Sequence, residues 1–305
     1  MPESSFKEAN LYDRIIQRDV DRTLFHYCSS ETFLAILQGG KIRFSDANMM
    51  NDGSEGRYGY GIFEKAADKL LKMVPDQPAF EGLTVDFFDE FDARLSPKQF
   101  HSHPIIACFS TSPDVLSQWR AYGQDGQGWS IGFSSKSINA MPITLLEVLY
   151  DPKQQVAEVM NYLAVRYLHF KEVGGSFKDA VGQDAALLGS FLHAYKDPSF
   201  AEEKEVRALH ELSVKWSDDG AILQDEGGTA GGQEVRGEPV KFRADGSSIT
   251  AYVDIPFQKV DDVAISDVWY GPCNRNGVGN AVYPLTQAGY RNVSLHRSAS
   301  FYRGR

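Results

Sequence analysis

Residues 24–45, LFHYCSSETFLAILQGGKIRFS, change their hydrophobic period twice within one short run. Residues 24–28 alternate as a strand does. Residues 30–38 form a helix, capped by Ser29 or Ser30 and stopped by Gly39-Gly40. Residues 41–44, KIRF, read as the next strand. Such a start ties the chain to a β-sheet with helices packed on it. It also sets His26 and Tyr27 in an otherwise apolar strand, as interior sheet residues or as the start of a ligand cleft.

The remaining elements come in clusters. A leading helix is predicted over 8–19, then mostly helical sequence over 60–95 broken near Pro75 and Pro78. A buried strand, IIACFS, follows Pro104, and a short helix, PDVLSQWRAY, carries Pro113 in its first turn. Next come a turn and strand, GQDGQGWSIGFS, a strand over 143–150, and two amphipathic helices. Val156, Val159, Leu163 and Tyr167 mark the first helix; Val181, Ala185, Leu188 and Leu192 mark the second. EKEVRALHELSV alternates as a strand, with Val206, Ala208, Leu212 and Val214 on one face and Glu203, Glu205 and Arg207 on the other. Residues 217–238 read as a flexible insertion, ahead of a hairpin turning at Asp245-Gly246. The end reads strand 263–270, helix 276–289, strand 292–297. Strands grouped between helix pairs predict an α+β fold, with a mixed, mainly antiparallel sheet and helical insertions. One domain covers 1–305, with an N-terminal helical extension over 1–21 and no visible break into two units.

Composition removes several functions. The chain has 305 residues, 42% of them hydrophobic, and no apolar run approaches the roughly 20 residues of a membrane span. The polar, acidic start MPESSFKEANLYDR is unlike a secretory signal. Cys28, Cys108 and Cys273 are far apart and odd in number, which suits a reducing cytoplasm and gives no zinc spacing. A net charge of −10 argues against a long nucleic-acid or anionic-membrane footprint. The stretch HRSASFYRGR reads as a solvated tail.

Three motifs look catalytic and are better explained as structure. GWSIG, residues 128–132, fits G-x-S-x-G, but a nucleophile elbow needs a helix after the serine, and FSSKS continues the strand. GPCNRNGVGNA, residues 271–281, has neither dinucleotide nor P-loop spacing and reads as a strand-to-helix turn. HSH, residues 101–103, has no partner at a metal-ligand spacing and reads as exposed.

Four pieces remain: His26-Tyr27; NDGSE at 51–55 with Asp52 and Glu55; CFSTSPDVLSQWRAYG at 108–123 with Ser110, Thr111, Trp119 and Tyr122; and EEKEVR at 202–207. Each has a structural reading: a hydrogen-bonded sheet histidine, a braced turn, core aromatics, a solvated strand face. Together they describe strand ends that can line one cleft. Two carboxylates on one strand face repel unless a cation meets them, either Arg207 or a cationic substrate.

The order H-Y-C-S, G-x-x-x-F-S, N-D-x-x-E, C-F-S with W-x-x-Y, and E-x-E-V-R resembles a widespread bacterial family catalogued as a domain of unknown function. The resemblance runs over roughly 22–303, with Gly53 where that family commonly has proline. The opening strand–helix–strand with its histidine, Ser110-Thr111-Ser112 at a strand end, and Glu203-Lys204-Glu205 are similar to the ADP-ribosyltransferase superfamily. That similarity implies a split β-sheet and NAD⁺ as substrate, with no metal. The nicotinamide–ribose bond would be cleaved and ADP-ribose passed to an acceptor: a protein side chain, a nucleic acid or water. It implies Glu205, Glu203 and His26 as catalytic groups. His26, Tyr27, Ser110, Thr111, Trp119 and Tyr122 would hold the dinucleotide, with Tyr27, Trp119 or Tyr122 stacking on the pyridinium. The bacterial resemblance adds the expectation of a defence or toxin-type effector. A nuclease or other hydrolase using Glu203, Glu205, Asp52 and His26 is the alternative enzyme; a non-catalytic nucleotide- or peptide-binding module is the other alternative.

Overall fold

The computed structural model describes residues 10–16, 20–47, 54–96, 103–230, 232–245 and 248–302. The opening unit is β1 (Thr23–Cys28), α1 (Ser30–Gly39) and β2 (Lys41–Asp46). The Ser29 hydroxyl accepts the Thr32 amide, and Gly40, at φ 59°, takes the left-handed conformation that ends α1. Then come α2 (Ser54–Met73), two 3₁₀ turns at Val74–Asp76 and Pro78–Phe80, α3 (Val85–Leu95) and β3 (His103–Ser110). The middle supplies α4 (Leu116–Ala121), β4 (Trp129–Ser134), α5 (Ser135–Asn139), β5 (Thr144–Glu147), α6 (Pro152–Val173) and α7 (Phe177–Leu192). A 3₁₀ turn at Pro198–Glu203 leads into the long β6 (Glu205–Ser217), followed by β7 (Gly220–Gln224), β8 (Gly228–Ala230) and β9 (Gln233–Val235). The chain continues as β10 (Lys241–Asp245), β11 (Ser248–Pro256), β12 (Ile265–Tyr270), α8 (Gly279–Gln287) and β13 (Ser294–Arg297).

The architecture is mixed α+β around one mostly antiparallel sheet, with β12 and β13 parallel. Strand β3 is its junction. β6 pairs with β3 from His103 to Ser110, along one whole edge. The other edge is shared: β2 pairs at Ile105 and Ile106, β1 at Ser110. The sheet therefore splits, with β2, β11 and β10 in one wing and β1, β4, β12 and β13 in the other.

Alternation sorts the side chains into two cores. Leu24, Phe44, Ala107, Phe109, Ile131, Val206, Ala208 and Val268 face α1, α5 and α8. Ile106, Leu146 and Leu209 face α2, α3, α6 and α7. On this second side, Phe25, Tyr27 and Trp119 form a small separate cluster.

Several expectations need correction. The leading helix is, within the described residues, one 3₁₀ turn at Leu11–Arg14. Side-chain anchoring overrides the helical pattern: Arg14 is paired with Glu158, and the Ile16 amide donates to Leu145 on β5. Residues 217–238 carry strands where no structure was expected. Buried Asp225 accepts from His210 and from the Gly227 and Glu238 amides, tying the middle and the far end of the stretch to β6. Pro113 precedes the start of α4 instead of lying in its first turn.

Within its described residues the C-terminal stretch is docked, not solvated. Asp114 accepts from the Ser298 and Ser300 hydroxyls, the Ala299 amide and the Trp119 indole. Burial pushes the Asp114 carboxyl up, yet these donors hold it below the usual carboxylate range. Replacing Asp114 by Ala should release residues 298–302 and cost about 2 kcal/mol. Faster proteolysis of that stretch together with a lower unfolding midpoint checks this; unchanged protection would refute it. Gly128 sets a second limit, because a Cβ there would lie 2.2 Å from the Cys28 carbonyl oxygen. Gly128→Ala should cost about 2 kcal/mol or more by pushing β4 from β1, read by chemical denaturation.

Candidate functional site

The strand end at Ser110 and the strand start at Glu205 are register partners. The Ser110 hydroxyl donates to the Glu203 carbonyl at 2.7 Å, and the Thr111 amide donates to the Lys204 carbonyl at 3.0 Å. Lys204 ends the 3₁₀ turn in a left-handed conformation, φ 45°, and the chain enters β6 from there. Ser110-Thr111 and Glu203-Lys204-Glu205 are thus fastened together through the backbone.

The carboxylates meet cations from their own chain. The Lys196 ammonium donates to Glu203 at 2.6 Å and to Glu205 at 3.0 Å. Arg207 grips Glu205 with Nε at 2.8 Å and Nη2 at 3.2 Å, and its Nη1 donates to the His193 carbonyl. The Tyr150 hydroxyl accepts the Glu205 amide at 2.9 Å. Glu203, Glu205, Lys196 and Arg207 are 6%, 5%, 4% and 1% exposed, so they form a buried network of balanced charge and the alternative of a solvated strand face falls away. Burial raises the Glu205 carboxyl, but Arg207 and Lys196 outweigh it and bring it down to about 2.

Two exposed aromatic residues lie near this network. Lys196 Nζ lies 4.9 Å from the centroid of Phe200, which is 41% exposed. Tyr122, 49% exposed, lies within electrostatic reach of Cys108, Lys196, Glu203 and Glu205.

The other candidates fall elsewhere. Phe25 pairs with Ser110 and Ser110 with Glu205, so these three side chains share a face; His26, one residue on, points to the opposite one. A shared hollow for His26 and Glu205 is therefore corrected. The imidazole packs on Phe109 and its Nδ1 lies 2.9 Å from the Cys108 carbonyl. A carbonyl only accepts, so Nδ1 carries the proton. Burial lowers the His26 pKa despite that bond. Tyr27 donates to the Ser112 carbonyl and accepts the Val115 amide, bracing the loop after β3. Trp119 is fully buried. Of the three candidate stacking rings, Tyr122 is the exposed one. Ser110 is buried, its hydroxyl committed to Glu203; Thr111 is exposed.

Asp52 and the Glu55 side chain lie outside the described residues, as does His101. His103, expected to be exposed, is buried with Nδ1 2.7 Å from Asp46. Ser130 sits buried in mid-strand between Tyr27 and Trp269, and Asn274 closes the 271–281 turn by donating to the Gly128 carbonyl, as structural readings require. Lys196, Phe200, Tyr150 and His193 were not anticipated. In HAYKDPSF only the Pro198 stop is a recognisable signal.

Fold and site define an α+β protein with a split, mostly antiparallel sheet and a buried acid–base cluster near the exposed Phe200 and Tyr122. Residues 118–208 match the family described as Protein of unknown function (DUF2971), a span that holds Trp119, Tyr122, Lys196, Glu203, Glu205 and Arg207. No curated protein and no solved structure matches the chain. Among the described residues no helix is long and apolar enough to cross a membrane.

Acid should act on this side of the sheet first through a histidine. Burial, reinforced by Arg207 and opposed by Asp46, pushes His193 from 6.5 down to about 4. The unfolded chain then takes the proton first. Stability from neutral His193 is complete above pH 6.5 and is lost as pH falls toward 4, by about 3 kcal/mol. Glu205, lowered from 4.5, adds a second loss between 4.5 and about 2. Urea midpoints against pH should show a shallower decline between 6.5 and 4 in His193→Gln than in wild type. Identical slopes would exclude His193 as the cause.

Proposed function

We propose that the Ser110–Glu205 strand junction is an NAD⁺ site of ADP-ribosyltransferase type. The supporting observation is the serine-threonine strand end hydrogen-bonded to Glu203 and Lys204 and in register with Glu205, within electrostatic reach of the exposed Tyr122. The split sheet agrees with it.

In this reading the bond between the anomeric carbon of the ribose and the pyridinium nitrogen breaks, and its electron pair leaves with neutral nicotinamide. The anomeric carbon gains oxocarbenium character, and a nucleophile attacks it and loses a proton. Glu205 is held as an anion down to about pH 2, so it stabilises the developing charge and does not act as an acid. Glu203 positions the ribose or the acceptor. Tyr122 stacks on the pyridinium, Thr111 reaches the ribose, and Ser110 fixes the acidic pair. His26 acts from behind, by fixing the Cys108 carbonyl. Protein, nucleic acid and water remain the acceptors to be compared.

A second reading, a binding module without turnover, is favoured by one observation: Lys196 and Arg207 already balance both carboxylates. Nicotinamide release separates the two. Wild type should release nicotinamide, and Glu205→Gln should be slower by about 10²–10³-fold with its unfolding transition retained. An equally active variant would remove Glu205 from the chemistry. NAD⁺ bound and returned intact with every acceptor class would select the binding module.

A further inference from the structure

Lys196 does work that the transferase reading leaves unused. Its ammonium is buried, donates to a carboxylate oxygen of Glu203 and another of Glu205, and lies over the Phe200 ring. An aromatic face and two anions are the surroundings that a desolvated cation needs. Rested on the reading of the junction as a site for a cationic ring, we propose that Lys196 is an internal stand-in for the substrate's positive charge, and that a cationic ligand binds by displacing its ammonium.

The two cations of the network differ in how they are held. Arg207 is fixed by a two-point grip on Glu205 and by the His193 carbonyl, and a planar guanidinium cannot leave one partner without losing the others. Lys196 has its main chain pinned, the amide donating to the Leu149 carbonyl and the carbonyl accepting from Gln155. Its head group sits at the end of a flexible four-carbon stem. Phe200, which that head group faces at 4.9 Å, and Tyr122, which feels its charge, are both substantially exposed. While Lys196 is in place, an incoming cation gains little from carboxylates that are already neutralised. A neutral ligand meets no such competition. Affinity for positive charge is therefore set by Lys196, and a ligand that fails to replace it leaves the acidic pair masked.

Paired probes isolate charge from shape: 1-methylnicotinamide, a permanent cation because its ring nitrogen is methylated, and neutral nicotinamide, titrated by calorimetry into the full chain. Lys196→Met should bind the cation at least about tenfold more tightly than wild type, with neutral nicotinamide unchanged and Lys196→Arg close to wild type. Equal or weaker cation binding by Lys196→Met, or equal tightening for both probes, overturns the proposal. If Lys196→Met does not fold, the wild type decides through the Lys196 Nζ resonance. The cation should shift it and neutral nicotinamide should not; a resonance unmoved by the cation overturns the proposal. Cation tightening with no NAD⁺ cleavage would sink the transferase reading alone.

Discussion

Two carboxylates two residues apart leave water only if positive charge goes with them, and this condition organises the middle of the molecule. Glu203 ends the 3₁₀ turn and Glu205 opens β6; Arg207 follows on the same strand face; Lys196 arrives from the stretch just past α7. The backbone at Lys196 is fixed by Leu149 and Gln155, and that at Glu205 by Tyr150, so helix ends and strand ends converge to hold four charged groups in register. Taking away one partner of such a pair leaves its mate buried and uncompensated, a loss of about 3–5 kcal/mol. A set this expensive to disturb gives the strand junction a fixed shape.

That shape depends on β3. Because β6 occupies one edge, β1 and β2 must divide the other, and between them the Cys108 carbonyl is met by an imidazole instead of a strand amide. His26 thereby satisfies a backbone acceptor that the split would otherwise expose. Its polar character in an apolar strand is explained by sheet geometry, whatever the junction binds.

Local pattern was enough for the strand–helix–strand start, with Ser29 and Gly40 marking the helix ends, and for the helices traced by Val159, Leu163, Ala185 and Leu188. It also separated Val206 and Ala208 from Glu205 and Arg207 correctly. Periodicity distinguishes two faces but does not say whether the polar one meets water or buried cations, so Lys196 stayed hidden. Nor does it relate one strand to another. Whether His26 shares a side with Glu205 is settled by the Phe25–Ser110–Glu205 register, and a slip of one residue would have reversed the answer. The Asp114 contacts escaped for a similar reason: a carboxylate in a turn and serines in a polar stretch look solvated until the fold brings them together.

The Asp114 clasp has a consequence during synthesis. Its partner Ser298 lies 184 residues downstream, and β4 also waits, for a shorter stretch of chain, for its neighbour β12. On the ribosome, therefore, the loop after β3 is made early and stays unlatched until nearly the whole described chain has been translated. The nascent protein can assemble the charged cluster around β6 well before that loop acquires its final brace.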